Sequence, residues 1–295
     1  MLDTPFRYRS PEDDSARWWD FPFRDGDIVI SARSKSGTTW LQMICALLVF
    51  QSPDLPEPLP TLSPWLDWLI TPREEVYAQL AAQQHRRFIK THTPLDGLPL
   101  DDRATYLVPA RHPLDVAVSL YHMLRDNLDW ERKRELLDAP ELAPPRQTPR
   151  EWLLSWIDND ADPREQMDSL PGVMWHLTDA WQRRHQPNIV LVHYDDLRAD
   201  LDGQMRRLAD LLDITVPDDI WPSLVAAATF DGMRDRGERI APTTKGVVKD
   251  GRMFFRAGRS GSGRELLTEQ EMSRYRERVA ELAPPDLLAW LHRDR

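Results

Sequence analysis

At 295 residues, 41% hydrophobic and 29% charged, the chain has the composition of an ordinary globular protein and can bury most of its apolar surface without covalent staples. A formal net charge of −10 excludes a general nucleic-acid binder, which needs a basic footprint; an anionic ligand would require a basic pocket built against the overall charge. The one cysteine, Cys45, sits in an apolar run as a small hydrophobe, which excludes disulfides and thiolate metal sites and points to a reducing, cytoplasmic location.

In chain order, residues 1–24 carry no apolar core of a signal peptide and read as an N-terminal segment. The β-branched run 28–30 predicts a strand, and after the loop Lys35-Ser36-Gly37-Thr38-Thr39 the spacing predicts a helix over 39–50, too short to span a bilayer. "RRFIKTH" predicts a short strand ending at Lys90, Thr91 and His92, and "ATYLVPAR" (104–111) another, followed by a helix over 113–128. A Pro-rich linker (139–149) leads to helices over 150–157 and 173–185, a buried-type strand over 188–194 and a helix over 200–214. The stretch 239–264 has little periodicity and five glycines, so it reads as a long functional loop or lid. Helices over 267–291 close the chain. Strands separated by helices predict one α/β domain with a mostly parallel sheet covered on both faces, on a P-loop-like plan.

Ligands of such sheets bind beyond the carboxyl ends of the strands, and four chemically loaded stretches fall there or in the late loop. In the first, Gly37 lets backbone turn closely about an anion, Thr38 and Thr39 add hydroxyls and Lys35 adds a mobile charge at a helix N-terminus; the alternative is an ordinary Ser/Thr helix cap. The lysine stands before the glycine instead of after it, so the loop suits a single phosphate better than a triphosphate. In the second, Lys90 and His92 alternate along a strand end and point to one side, a base beside a charge stabiliser; a hydrogen-bonded structural histidine is the alternative. The third places Arg111 at a strand end and Ser119 two turns into the next helix, a second phosphate clamp or, alternatively, an Arg111–Asp115 surface pair. The fourth, Arg256 with Gly258 and Gly261, offers a guanidinium and open N–H groups, or a plain Gly/Ser turn. Together they suit a nucleotide with 5′ and 3′ phosphates, a base and no metal.

These stretches resemble the cytosolic-type sulfotransferases that use 3′-phosphoadenosine 5′-phosphosulfate (PAPS). "SKSGTTW" resembles that family's 5′-phosphosulfate loop, "KTHTP" its catalytic strand, "RHPLDVAVSLYH" its 3′-phosphate strand and helix, and "FFRAGRSGSG" its RxGxxG loop, while "VLVHYDDL" and "ATFDGMR" resemble further nucleotide-contacting stretches. The resemblance implies the PAPS sulfotransferase fold. It implies that Ser36, Gly37, Thr38 and Thr39 hold the 5′ phosphate, with Lys35 on the leaving oxygen, Lys90 on the sulfuryl group and His92 as base. It further implies that Arg111, Ser119, Arg256 and Gly258 hold the 3′ phosphate, with Ala257 between them where the family often has lysine, and that Trp40, Tyr194, Thr229 and Phe230 surround the adenosine.

Three departures stand out. Ser262-Gly263 follows the RxGxxG loop where the family has Asp-Trp, Ala257 removes one phosphate contact, and the family's short dimer motif is reduced to Arg264 and Thr268 with Glu269 and Ser273 at its other positions. The segment around "SPWLDWLITPREEV" looks most like an actinobacterial branch that includes glycolipid sulfotransferases, which leaves a glycolipid sugar, a phenol or another alcohol as acceptor, with transient contact to a membrane surface and an open oligomeric state. Expected acceptor walls are 18–23, 65–69, 121–130 and 247–255, the first three of which contain tryptophan. Two other readings stand beside this one: a small-molecule kinase needing ATP and magnesium, and a non-catalytic nucleotide-binding protein, against which Lys35, Lys90 and His92 together weigh.

Overall fold

Four short runs of β-branched and aromatic residues pair into one parallel sheet in the order β2-β1-β3-β4, with β1 Ile28–Ser31, β2 Phe88–Thr91, β3 Thr105–Ala110 and β4 Ile189–His193. The computed structural model describes residues 4–242, 244–256 and 258–293. Register pairs Ile30 with Lys90 and with Leu107, so β1 and β2 end side by side and β3 runs on past them to Ala110. Alternation then divides the core. Ile28, Ile30, Phe88 and Leu107 face a cluster with the helices Thr38–Phe50, Leu201–Leu211 and Trp221–Ala228. Val29, Ile89, Tyr106 and Val108 face a second cluster with Pro113–His122, Leu170–Gln182, Glu269–Leu282 and Pro285–His292. A sheet buried on both faces explains why its strands are apolar throughout rather than alternating.

The differences from expectation have local causes. The helix predicted over 113–128 is α-helical from Pro113 to His122 and then widens into a π-turn, Met123–Asn127. The stretch 239–264 is not structureless. It contains a helical turn at Gly251–Phe254, nucleated by Asp250, whose carboxylate accepts from the N–H groups of Arg252 and Met253 at 2.7 and 3.2 Å. Helices at Arg73–Ala82 and Trp130–Leu137 were not foreseen; both are shorter than the window over which helical periodicity registers, and the second is mostly charged.

The N-terminal segment is packed, not loose. Trp18, Phe21 and Phe23 form a mutual edge-and-stack cluster joined to the second core. A fully buried ion pair fastens it to the sheet: Arg87 donates to both oxygens of Asp27, with its Nε at 2.8 Å, and to the Pro22 carbonyl at 2.9 Å, and its guanidinium lies 4.9 Å from the Phe21 ring. Removing one partner leaves a buried charge uncompensated, whereas an apolar pair of similar volume does not. Urea titration of Arg87→Met should therefore show a loss of about 3–5 kcal/mol, and Arg87→Met/Asp27→Leu should recover most of it; equal losses in both variants would show that packing alone holds this corner.

Candidate active site

The site begins where β1 stops. Lys35 (φ 65°) and Gly37 (φ 114°) both take left-handed backbone, which curls the loop into a concave turn around Ser36. At Gly37 a side chain would meet the Tyr194 ring at 3.3 Å, so glycine satisfies the φ and the close approach together. The first helical bond runs from Leu41 N–H to the Gly37 carbonyl, 3.1 Å, which leaves the N–H groups just before Leu41 outside the helical ladder. Gly37 is the N-cap and no side chain caps the turn, and the buried Thr38 hydroxyl has no partner. The arrangement is an open anion cradle, not the ordinary capped helix.

Four cations converge on it. The Lys35 ammonium, enclosed by the cavity walls, lies 3.7 Å from the Phe254 ring centroid; burial and then Arg111, Lys90 and Arg256 hold its pKa down to about 7. Lys90 is buried, with its ammonium 3.8 Å from the Trp65 ring; burial lowers its pKa to about 8 against the opposing pull of Asp13, Asp67 and Asp168. Arg111 lies 4.3 Å over the Tyr194 ring and donates to the Lys35 and Arg259 carbonyls at 3.4 and 3.1 Å, while its buried Nε has no partner. Arg256 is at the rim, its pKa lowered by burial and by Arg111 and Arg259. Among the described residues none of the four has a salt-bridge partner, and Asp115 does not pair with Arg111. Asp115 is buried and accepts instead from the N–H groups of Gly261 and Gly263, at 2.8 and 3.1 Å, stapling the glycine loop onto the helix that carries Ser119.

His92 is buried one residue past β2, edge-on to Trp65 with ring centroids 4.4 Å apart. Its Nδ1 bonds the Ala32 carbonyl, which can only accept, so Nδ1 carries the hydrogen and Nε2 keeps its lone pair. Burial, then Lys90 and Arg33, hold its pKa well below the ordinary 6.5. The ring is a fixed, neutral base facing the same cavity as Lys35 and Lys90.

Sequence reasoning missed the residues that hold this geometry. Buried Arg33 bonds the His92 carbonyl and pairs with Asp168 at 2.7 Å, while Ser34 donates to the same carboxylate at 2.9 Å. Asp67, wholly buried, accepts from the hydroxyls of Thr91 and Thr93, the latter at 2.6 Å, so both threonines face away from the cavity and Lys90 and His92 face into it. The alternating Lys90-Thr91-His92-Thr93 pattern was the available signal; its acidic partner lay too far away in sequence to be recognised.

One cavity of about 820 Å³ joins these groups. Trp40, Tyr194, Thr229, Phe230, Gly258 and Ser119 line it near the cradle. Trp40 and Tyr194 meet edge-on at 5.2 Å, the Trp40 indole donates to the Ala228 carbonyl at 2.8 Å, and the Thr229 hydroxyl is spent capping its own helix through Gly232. A Cβ at Gly258, where φ is +59°, would lie 2.5 Å from the Phe230 ring, so only glycine fits there. Ala257 lies outside the described residues. Away from the cradle, Trp65, Trp68, Met123, Leu124, Leu128, Val247 and Val248 form an apolar wall, as expected for 65–69, 121–130 and 247–255. The 18–23 stretch is a correction: Trp18, Phe21 and Phe23 are core, because the neighbouring chain covers them, and the wall is completed by Leu59, Pro60, Val76 and Ile240.

A family profile described as Sulfotransferase domain matches residues 25–284. The chain is 46% identical to the glycolipid sulfotransferases of Mycobacterium bovis and Mycobacterium tuberculosis, over 98% of its own length and 94% of theirs, and 22% identical to sulfotransferase 6B1 of Danio rerio, over 89% and 80%. Its fold is similar to that of retinol dehydratase in complex with androsterone and inactive cofactor PAP (TM-score 0.70, 21% identity, 92% of this chain and 86% of that one). It is also similar to mouse sulfotransferase SULT7A1 complexed with PAP (TM-score 0.66, 20% identity, 90% and 88%).

A lysine whose folded pKa lies below its unfolded value opposes folding at neutral pH: the cost is absent above the ordinary 10.5, grows as pH falls, and is complete below the folded value of about 7. Without ligand, Lys35→Met should therefore raise Tm at pH 7 and flatten the rise of Tm between pH 7 and 9; a fall in Tm would show that the ammonium stabilises its loop. A phosphate-bearing ligand should reverse the balance. Calorimetry at pH 8 in buffers of different ionisation enthalpy should find net proton uptake on binding, smaller in the variant.

Proposed function

Because this chain belongs to the sulfotransferase family, we propose that it moves the sulfuryl group of PAPS in line onto an acceptor hydroxyl, in the cytoplasm, with a sugar of a glycolipid as the acceptor. The observation that carries the reading is the set of four cations without salt-bridge partners among the described residues, around an open N–H cradle and beside a histidine held neutral by its Nδ1 bond and burial. The partnerless Thr38 hydroxyl and Arg111 Nε are the groups a pair of phosphates would satisfy. The acceptor class rests on the 46% identical relatives named as glycolipid sulfotransferases.

PAPS when bound supplies the sulfuryl group and leaves as 3′,5′-ADP. The cradle from Ser36 to Thr39 binds the 5′ phosphate, and Arg111, Ser119, Arg256 and the backbone at Gly258 bind the 3′ phosphate. Trp40, Tyr194, Thr229 and Phe230 hold the adenosine. His92 Nε2 takes the acceptor proton. Lys90 stabilises negative charge on the group in flight, and Lys35 stabilises it on the leaving oxygen. Transfer of this kind depends on alignment and spread charge stabilisation and needs no protein nucleophile. A sulfuryl group carries less negative charge than a phosphoryl group, so lysines and N–H donors serve where a kinase uses magnesium.

Isothermal titration with 3′,5′-ADP in the presence of EDTA tests the donor half: tight binding is expected, and binding of ATP–Mg²⁺ in its place would overturn the proposal. His92→Ala should lose roughly 10²–10⁴-fold in rate, the range of a positioned base, with 3′,5′-ADP affinity kept. The kcat/KM profile reports free-enzyme groups. Its acid limb should lie below 6.5, because His92 is depressed, and its alkaline limb should begin near 7–8 as Lys35 and Lys90 lose their protons.

A further inference from the structure

The acceptor half of the cavity carries an ion pair between a buried lysine and a glutamate that keeps 32% of its side chain exposed. Lys133, with 7% of its side chain exposed, meets Glu12 at 2.6 Å, and both side chains line the cavity. Desolvating an ammonium is costly and seldom repaid as stability, so the buried Lys133 calls for a reason. Tethering is not that reason. Residues 12–14 already run antiparallel along 67–69, with Leu69 N–H to the Glu12 carbonyl at 2.7 Å, Asp14 N–H to the Asp67 carbonyl at 2.9 Å, and an Asp13–Trp68 bridge. Nor is the pair saturated. Among the described residues Lys133 is the one side-chain donor shown against the Glu12 carboxylate, and the ammonium has three hydrogens and one carboxylate partner. The pair therefore presents acceptor and donor capacity side by side to the cavity.

Its position relative to the base is set by two ring contacts. Trp65 lies 4.4 Å from His92 and stacks on Trp68 at 5.0 Å, with 5° between their planes; the backbone bridge at Trp68 then leads to Glu12. Both ends of this wall line the same cavity as His92.

We infer that Glu12 and Lys133 determine acceptor specificity by binding neighbouring hydroxyls of a polyhydroxylated ring, while another hydroxyl of the same molecule reaches His92. A carboxylate that accepts and an ammonium that donates match a vicinal diol, whose hydroxyls do both, and neither a phenol nor a long-chain alcohol has a group to offer them. A site built to hydrogen-bond a substrate discriminates strongly against analogues that leave it unpaired. The inference rests on the sulfotransferase reading and adds the acceptor chemistry of that same site.

The test compares octyl β-glucoside with octanol as acceptors, in the wild type and in Glu12→Leu/Lys133→Met, whose apolar replacements avoid a stranded charge. The wild type should prefer the glucoside. In the variant that preference should fall roughly tenfold to hundredfold, the loss expected for one hydrogen bond to a charged group or a little more, mainly through KM, while 3′,5′-ADP affinity is kept. Quenching of tryptophan fluorescence by the glucoside in the 3′,5′-ADP complex should weaken in parallel. An unchanged preference, including one accompanied by a lower Tm, would overturn the assignment and leave the pair a tether. Wild-type preference for octanol, or no transfer to the glucoside with 3′,5′-ADP binding intact, would also overturn it. Absence of 3′,5′-ADP binding would instead fail the donor reading beneath it.

Discussion

Like charges held together without salt-bridge partners among the described residues are the constraint on which the rest of this structure depends. Lys35, Lys90, Arg111 and Arg256 come from four separate segments and repel one another, in a chain that carries an excess of ten negative charges. A flexible chain would disperse them or pair them with its many carboxylates. Here the rigid parts prevent both. The sheet register brings the ends of β1 and β2 together alongside β3, the aromatic rings of Phe254, Trp65 and Tyr194 give three of the cations a face to rest on, and nearby acids are given other work. Asp115 holds the glycine loop, Asp67 holds the threonines flanking the base, and Asp168 holds Arg33. Stability given up at such a site is recovered when an anion binds.

What sequence could disclose follows from how local each feature is. The strands, the helix after the loop, the cradle and the alternation of Lys90 and His92 are written within a few residues, and each stands where local pattern places it. The supporting residues are not local. Arg33 reaches Asp168 across 135 positions and Asp115 reaches Gly261 across 146, and no spacing rule links such pairs. Aromatic content misled at 18–23, because a tryptophan cluster looks the same in sequence whether it faces a cavity or a core; only the chain packed over it decides. The helices Arg73–Ala82 and Trp130–Leu137 hid for a different reason, being too short for helical periodicity to register.

His92 and Lys90 are controlled by one short segment. Trp65 receives the Lys90 ammonium and the edge of His92, and its neighbour Asp67 accepts from Thr91 and Thr93. Two residues apart in one turn, one side chain therefore shapes the cavity face and the other anchors the back of the same strand end. Charge on Lys90 in turn helps keep His92 neutral, so the electrostatic setting of each group depends on the other being in place.

The π-turn at Met123–Asn127 divides its helix between two tasks. Ser119, ahead of the turn, lines the cavity beside the cradle; Met123 and Leu124, within it, line the apolar wall, and Asn127 then grips the backbone of Lys249 and Asp250. A π-turn is a helix carrying one residue more than the α-helical pattern needs, and in an α-helix each residue advances the direction of side chains by about 100°. Adding or removing one residue here would turn the wall-forming side chains to a new heading while Ser119 stayed where it is. The fold thus contains a place where the apolar wall of the cavity can be reshaped by a change of length, without touching the half of the cavity that holds the cradle.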